Sequence, residues 1–311
     1  MSSFSSLRSR AKEKTEVLKR SFEQLSGNAP RESQDSRFWY PERNEDGNAS
    51  AIIRFLPAPE GETDDYIQVI RHDFTGPGGR YSEKSLRTID KSDPVAKLNA
   101  EDWKRGEAGQ LAAKQRVRKK SYYTNIYVIR DTNHPENEGK VFLYRFGQQL
   151  YDMIHLAMYP IDPEDIKINP FSPFAPPKNA SVEEIKEWVE EYGYPGANFR
   201  VKVMTKQGED KYADYSASKF DYMSPLGTDD EIDRICGQAY KLKGEFHDPS
   251  KFKSYEELEA RLFEVLGYNR PVAVSSHAQP QAPAQPAVST PLSDDFDSDL
   301  SEFQRLLDED V

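Results

Sequence analysis

KQRVRKKSYYTNIYVIRDTNHPENEGKVFLYRFG, residues 114–147, decides how this chain is read. Lys114, Arg116, Arg118, Lys119 and Lys120 set five positive charges within seven residues, and Tyr122, Tyr123 and Tyr127 follow at once. Residues 122–130 are mostly β-branched or aromatic and predict a strand. Residues 131–139 are rich in Asp, Asn, Pro and Gly and predict its turn. Residues 141–146, with Tyr144 and Arg145, predict the returning strand. Cations hold phosphates and aromatic faces stack on bases, so a β-hairpin that interleaves them suits a single-stranded nucleic acid.

A basic run is often only a solvated face, and strand tyrosines often belong to a core or its rim. Two features favour the nucleic-acid reading. The charge is concentrated in one short run of an acidic protein, and no acid interrupts it from Lys114 to Arg130.

Outward from the hairpin, PENEGKVFLYRFG at 135–147, with the RKKSYYTNIYVIRD before it, resembles the single-stranded DNA-binding, helix-destabilising proteins of T4-like bacteriophages. AIIRFLP at 51–57, GANF at 196–199, SASKF at 216–220 and KFKSYEELEARLFEVLG at 251–267 carry the same resemblance in the family's order. It spans roughly residues 1–268 and, more loosely, the acidic tail.

Composition sets bounds. The chain has 311 residues, 36% hydrophobic and 31% charged, with a net charge of −11. That is polar for a fully packed globule and predicts disordered segments. Residues 294–311 hold eight acids against Arg305 alone, so much of the negative charge lies in one tail. Cys236 is the single cysteine, which excludes an internal disulfide and fits a reducing compartment. No apolar run has the length of a membrane span or a signal peptide, so a soluble intracellular protein is expected.

At the N-terminus, residues 1–25 form a basic arm with apolar residues at helical spacing. The resemblance implies that Arg8, Ser9 and Arg10 dock on a neighbouring copy and make binding cooperative. Residues 51–56 predict a buried strand that contains Arg54. Such a charge finds an internal partner or faces a groove; the resemblance implies a phosphate contact. Residues 66–72 predict another strand. Many relatives hold a structural zinc in the next segment through one histidine and three cysteines. His72 matches the histidine, but Ser85, Asp93 and Ala96 stand where cysteines would be. One histidine and one aspartate do not make a tetrahedral zinc site. No metal or other cofactor is expected, His72 reads as an ordinary strand-end histidine, and packing by Tyr81 and Leu86 is expected to hold the loop.

Residues 101–111 predict a helix leading into the basic run, and 150–158 another after the hairpin. The segment 160–195 is longer than the family usually carries; its first half is proline-rich, and Ser181 with Glu184 forms a capping box. Residues 199–204 alternate as a strand. Tyr212 and Tyr215 lie beside Lys211 and Lys219, and the resemblance implies that two aromatics there line the DNA cleft. Residues 229–243 predict a helix with Cys236 buried, and Ser254 with Glu257 caps a last helix that stops at Gly267.

The expected architecture is mainly β with helices: an OB-fold core elaborated by an irregular lobe. It divides into a basic arm (1–25), a single-stranded DNA-binding core (26–268), a flexible linker (269–293) and an acidic partner-binding tail (294–311) with Phe296, Phe303, Leu306 and Leu307. Arg54, Lys114, Arg116, Arg118, Lys119, Lys120 and Arg145 are assigned to phosphates. Tyr122, Tyr123, Tyr144, Tyr212 and Tyr215 are assigned to base stacking. The function expected is cooperative, sequence-non-specific binding of single-stranded DNA in phage replication, recombination and repair. It would be exercised in the cytoplasm of the infected host cell. Partners would be single-stranded DNA, further copies of the chain and, through the tail, replication and recombination proteins such as a polymerase, a helicase loader or a recombination mediator. A single-stranded RNA-binding or scaffold protein is the alternative. No P-loop, HExxH or paired-histidine spacing occurs, and a nuclease would need clustered carboxylates that the sequence does not place together, so no enzyme is expected.

Overall fold

The computed structural model describes residues 35–162, 166–205 and 213–268. Arg8, Ser9, Arg10, Tyr212, the linker and the tail residues Phe296, Phe303, Leu306 and Leu307 lie outside them. The chain divides into two units, residues 1–40 and 41–311. In the first, the short strand β1 (Phe38–Trp39) follows an Arg37–Asp35 ion pair of 2.6 Å.

The second unit is a sheet-dominant structure carrying several helices. In chain order its elements are β2 (Ala49–Phe55), β3 (Tyr66–Gly76), β4 (Gly79–Lys84), a 3-10 turn (Leu86–Ile89), α1 (Pro94–Trp103), α2 (Glu107–Gln115), β5 (Arg118–Asp131), β6 (Val141–Phe146), α3 (Gln148–Met158), α4 (Val182–Tyr192), β7 (Ala197–Thr205), β8 (Ala213–Asp214), β9 (Lys219–Met223), α5 (Asp229–Cys236), α6 (Lys243–Phe246) and α7 (Tyr255–Leu266). The strands run in the order β6–β5–β2–β7–β8, with β3 on β5, β4 on β3 and β9 on β7. All of these pairings are antiparallel.

Strand β5 is the spine. Its fourteen residues pair with β3 over Arg118–Thr124, with β6 over Tyr122–Tyr127 and with β2 over Ile126–Asp131. A register shift between Ile52 and Ile53 marks a bulge, which bends the β2–β5 pair. The β3–β4 hairpin turns at Pro77–Gly78. Any side chain on Gly78 would strike the Glu264 carbonyl, and the Gly78 N–H donates to Val265 O at 2.9 Å, so the turn packs on the end of α7.

Two hydrophobic centres flank the β3–β5 ribbon. One gathers Phe74 and Tyr81, stacked at 4.9 Å, with Leu86, Val95, Leu258, Leu262 and Val265. In the other, Phe55 contacts Phe146, Phe171, Phe199 and Phe220. Local signals end several helices as expected. The Ser181/Glu184 and Ser254/Glu257 capping boxes are both formed, and Gly267 caps α7 in the left-handed region. Three expectations are corrected. The helix expected over 101–111 is two helices, broken where Gly106 takes φ 79°. The helix expected over 229–243 stops at Cys236, which is half-buried. The strand expected to end at residue 72 continues to Gly76, which puts His72 mid-strand and buried.

Candidate nucleic-acid interface

The basic run begins at the end of α2 and enters β5. Alternation along a strand sends successive side chains to opposite faces. Lys119, Ser121 and Tyr123 therefore point one way, and Arg118, Lys120 and Tyr122 the other. On the first face the register does what the linear sequence hides. Arg71 of β3 sits directly opposite Lys119 of β5 on one side and Lys84 of β4 on the other. Three cations thus lie abreast across three strands. Asp73 lies beside Lys119 and Arg71; it is shared by Arg80 at 2.7 Å and Lys119 at 3.9 Å, and Arg80 holds its carboxyl below the usual range. Burial, with Lys251 and Arg71 close by, pushes the Lys84 ammonium down. Arg145 is exposed on β6 opposite Tyr123, and its guanidinium donates to Ser121 Oγ at 3.0 and 3.2 Å.

The second face presents half-buried Arg118 and Lys120, opposite His72 and Ile70. Gln68 Nε2 donates to the Tyr122 hydroxyl at 3.2 Å, and that hydroxyl donates to Gln148 Oε1 at 3.1 Å. Pairing of β5 with β6 starts only at Tyr122, so residues 118–121 have β3 on one side and an open edge on the other among the described residues. A ligand that follows this edge reaches side chains of both faces.

Two expected phosphate ligands are structural instead. Arg54 is wholly buried; its guanidinium donates to Ser172 O at 2.7 Å, Ser224 O at 3.0 Å and Asn198 Oδ1 at 3.2 Å. Burial pushes its pKa down to about 10. Gly196 leaves the space this guanidinium occupies, since a Cβ there would overlap it. Arg116 is buried as well, paired with Asp102 and donating to Asn99 Oδ1 at 3.0 Å. Lys114, on the last turn of α2, is exposed.

Among the stacking candidates, Tyr122 and Tyr144 are 2% and 1% exposed. Tyr122 stacks on Tyr151 at 4.2 Å and on Phe146 at 5.5 Å. The Tyr144 hydroxyl is buried near that of Tyr215, and burial raises the pKa of both. Both Tyr122 and Tyr144 are therefore interior rings, because they share the inward face of β5 and β6 with Phe146. Tyr123 is half-buried, with one ring face on Phe246 at 4.1 Å, and Tyr215 is half-buried.

The rings that carry the Tyr122 stack outward escape a linear reading. Tyr151 continues along α3 to His155 and then Tyr159, with centroids 6.4 and 5.0 Å apart, and Tyr159 is 61% exposed. The i, i+4, i+8 spacing of these three residues was the available signal.

Residues 47–266 match the family described as gp32 DNA binding protein like. The chain belongs to this family. It is 32% identical over 249 residues to the single-stranded DNA-binding protein of Enterobacteria phage T4, covering 78% of this chain and 74% of the phage protein. It is also 32% identical over 244 residues to the protein of the same description from Enterobacteria phage T2, covering 76% and 72%. Membership makes this a DNA-binding protein rather than an enzyme. Among the described residues, no helix is long and apolar enough to cross a membrane.

Proposed function

We propose that the chain binds single-stranded DNA without sequence preference along the open edge of β5. The observation that carries this reading is the row Lys84–Arg71–Lys119. Like charges set directly opposite one another across strands destabilise a sheet. A row of three, beside Arg118, Lys120 and Arg145, makes sense where a polyanion neutralises it. Phosphates would lie on these cations and on Lys114. Bases would stack on the half-exposed rings that lead away from Tyr122, namely Tyr151 and Tyr159, and on Tyr123, Tyr215 and Tyr212. Stacking tolerates any base, which accounts for binding without sequence preference.

In the finer reading, the sheet of the second unit is an OB-type barrel with an irregular lobe, and residues 26–268 are the binding core. Residues 1–25 join neighbouring copies along the strand through Arg8, Ser9 and Arg10. Residues 269–293 tether an acidic tail that recruits replication and recombination proteins. The protein would coat and protect single-stranded DNA in the cytoplasm of an infected host during replication, recombination and repair.

Quenching of intrinsic fluorescence by oligo(dT), followed against salt, tests the core of this proposal. Affinity should fall linearly on a log–log plot, with a slope of about −0.7 per phosphate contact. Equal affinity for RNA would support the alternative partner, and tighter binding to duplex would refute the proposal. Removal of residues 1–10 should weaken binding to long poly(dT) and leave a short oligonucleotide nearly unaffected. Equal loss on both would place the arm on DNA.

A further inference from the structure

The three positions His72, Ser85 and Asp93, far apart in sequence, meet at one buried point. The Asp93 side chain is fully buried. Its Oδ2 accepts from Ser85 Oγ at 2.8 Å and from the Leu86 N–H at 3.1 Å. Its Oδ1 accepts from the N–H groups of Val95 and Ala96 at 3.0 and 3.1 Å and faces His72 Nε2 at 3.6 Å. Each carboxylate oxygen is thus occupied by two donors.

The family resemblance implies a zinc at this place, and the donor set does not fit one. Zinc in a structural site takes four deprotonated sulfur, nitrogen or carboxylate ligands. Here His72 Nε2 is one candidate, and the Asp93 lone pairs are already directed at hydrogen atoms. Ser85 offers a neutral hydroxyl and Ala96 no side-chain donor at all. The cluster is complete as a hydrogen-bonded centre and deficient as a coordination shell.

We propose that the Asp93 carboxylate takes the organising place of a metal, and that this hub fixes the start of the basic strand. A carboxylate that accepts several charge-assisted hydrogen bonds can join separate backbone segments much as a cation joins separate ligands. Asp93 joins the 3-10 turn through Ser85 and Leu86, and the first turn of α1, of which it is the N-cap. It faces β3 through His72. The link then reaches β5, because His72 Nδ1 meets Arg116 O at 3.0 Å and Asn99 Nδ2 of α1 donates to the same carbonyl at 3.1 Å. Arg116 is held on its other side by Asp102. Two residues later β5 begins. Asp93 is in this sense a positioning residue: it touches no nucleic acid, yet it sets where Arg118 and Lys119 emerge.

The test uses the full chain, expressed with zinc in the medium. Elemental analysis should find well under one zinc per chain, and a chelator should leave the thermal midpoint unchanged. Asp93→Ala should lower the midpoint by roughly 5–10 °C. Asp93→Asn and Ser85→Ala, which keep the shape and remove fewer hydrogen bonds, should lower it less and supply folded protein if Asp93→Ala does not fold. In those two variants amide hydrogen exchange should rise at residues 70–72, 85–96 and 116–120 while β2 and β7 keep their protection. A stoichiometric zinc with a chelator-sensitive midpoint would overturn the proposal. So would exchange that rises uniformly or not at all.

Discussion

Neutralising Arg71 and Lys84 together should weaken single-stranded DNA binding while changing the protein's stability little. Neither residue belongs to the basic run, and neither ion-pairs with an acid at close range among the described residues; both come beside Lys119 only through the β4–β3–β5 register. In Arg71→Gln/Lys84→Gln, two phosphate contacts disappear, so the magnitude of the log–log salt slope should drop by roughly 1.4. Affinities of variant and parent should therefore differ most at low salt and converge as salt rises. Stability should change little. Relief of like charges opposed across strands, a few tenths of a kcal/mol per pair, is set against loss of the Arg71–Ser82 hydrogen bond of 3.1 Å and of Lys84 over the Phe252 ring at 5.4 Å, so the midpoint should stay within about 2 °C of the parent. The assay is fluorescence quenching by oligo(dT) at several salt concentrations, with thermal unfolding measured on the same samples. Lys186→Gln, on exposed α4, is the control and should leave the slope alone. An unchanged slope in the double variant would refute the reasoning. So would a loss of binding matched by a falling midpoint, which would make the row a structural feature.

Three further outcomes follow from the same geometry. Arg54→Met should strand two carbonyls and an amide oxygen and destabilise by about 3–5 kcal/mol, while the salt slope of the folded fraction stays unchanged; a changed slope at normal stability would return Arg54 to the interface. Tyr159→Ala should cost about 1–3 kcal/mol of binding if a base stacks there, with no shift in midpoint, and equal affinity would remove the outer ring from the site. His134 lies 2.8 Å from both Glu136 and Glu42, and its pKa is raised, chiefly by the Glu136 hydrogen bond. A raised folded value gives stability that is complete below the ordinary imidazole value of about 6.5 and is lost as pH rises through the folded value. NMR titration should show the raised midpoint, and His134→Gln should flatten stability against pH in that window; an ordinary midpoint would refute the pairing.

The legible parts of the sequence were those whose cause is local. The capping boxes at Ser181 and Ser254 satisfy orphan N–H groups within one turn, so three-residue spacing announced them. The hairpin of β5 and β6 was announced by β-branched and aromatic runs about a turn segment. The break at Gly106 was less legible, because a single glycine is tolerated in helices and only the left-handed backbone there decides it. Arg71 and Lys84 were illegible as site residues, since a register between strands is a non-local fact. The separation of Tyr122 from Tyr123 could have been foreseen. Period-two alternation requires it, and Phe146 directly across from Tyr122 marks which face goes inward.

Arg54, Arg116 and Lys119 show why charge type alone cannot assign a nucleic-acid contact. All three stand in or beside strands, and all three carry the same sign. What separates them is whether the fold has supplied acceptors before any ligand arrives. Arg54 has two carbonyls and an amide oxygen, and a glycine that leaves room for it. Arg116 has Asp102 and Asn99. Burying an arginine without such partners is prohibitive, so their presence is the condition of its burial. Lys119 shares one distant carboxylate and stands beside another cation. It is the cation with unsatisfied electrostatics, and hence the one with most to gain from a phosphate. The same test explains the hub. An aspartate where the resemblance implies a metal-binding cysteine survives in the interior because four protein donors meet it, and the loop it organises presents the basic strand.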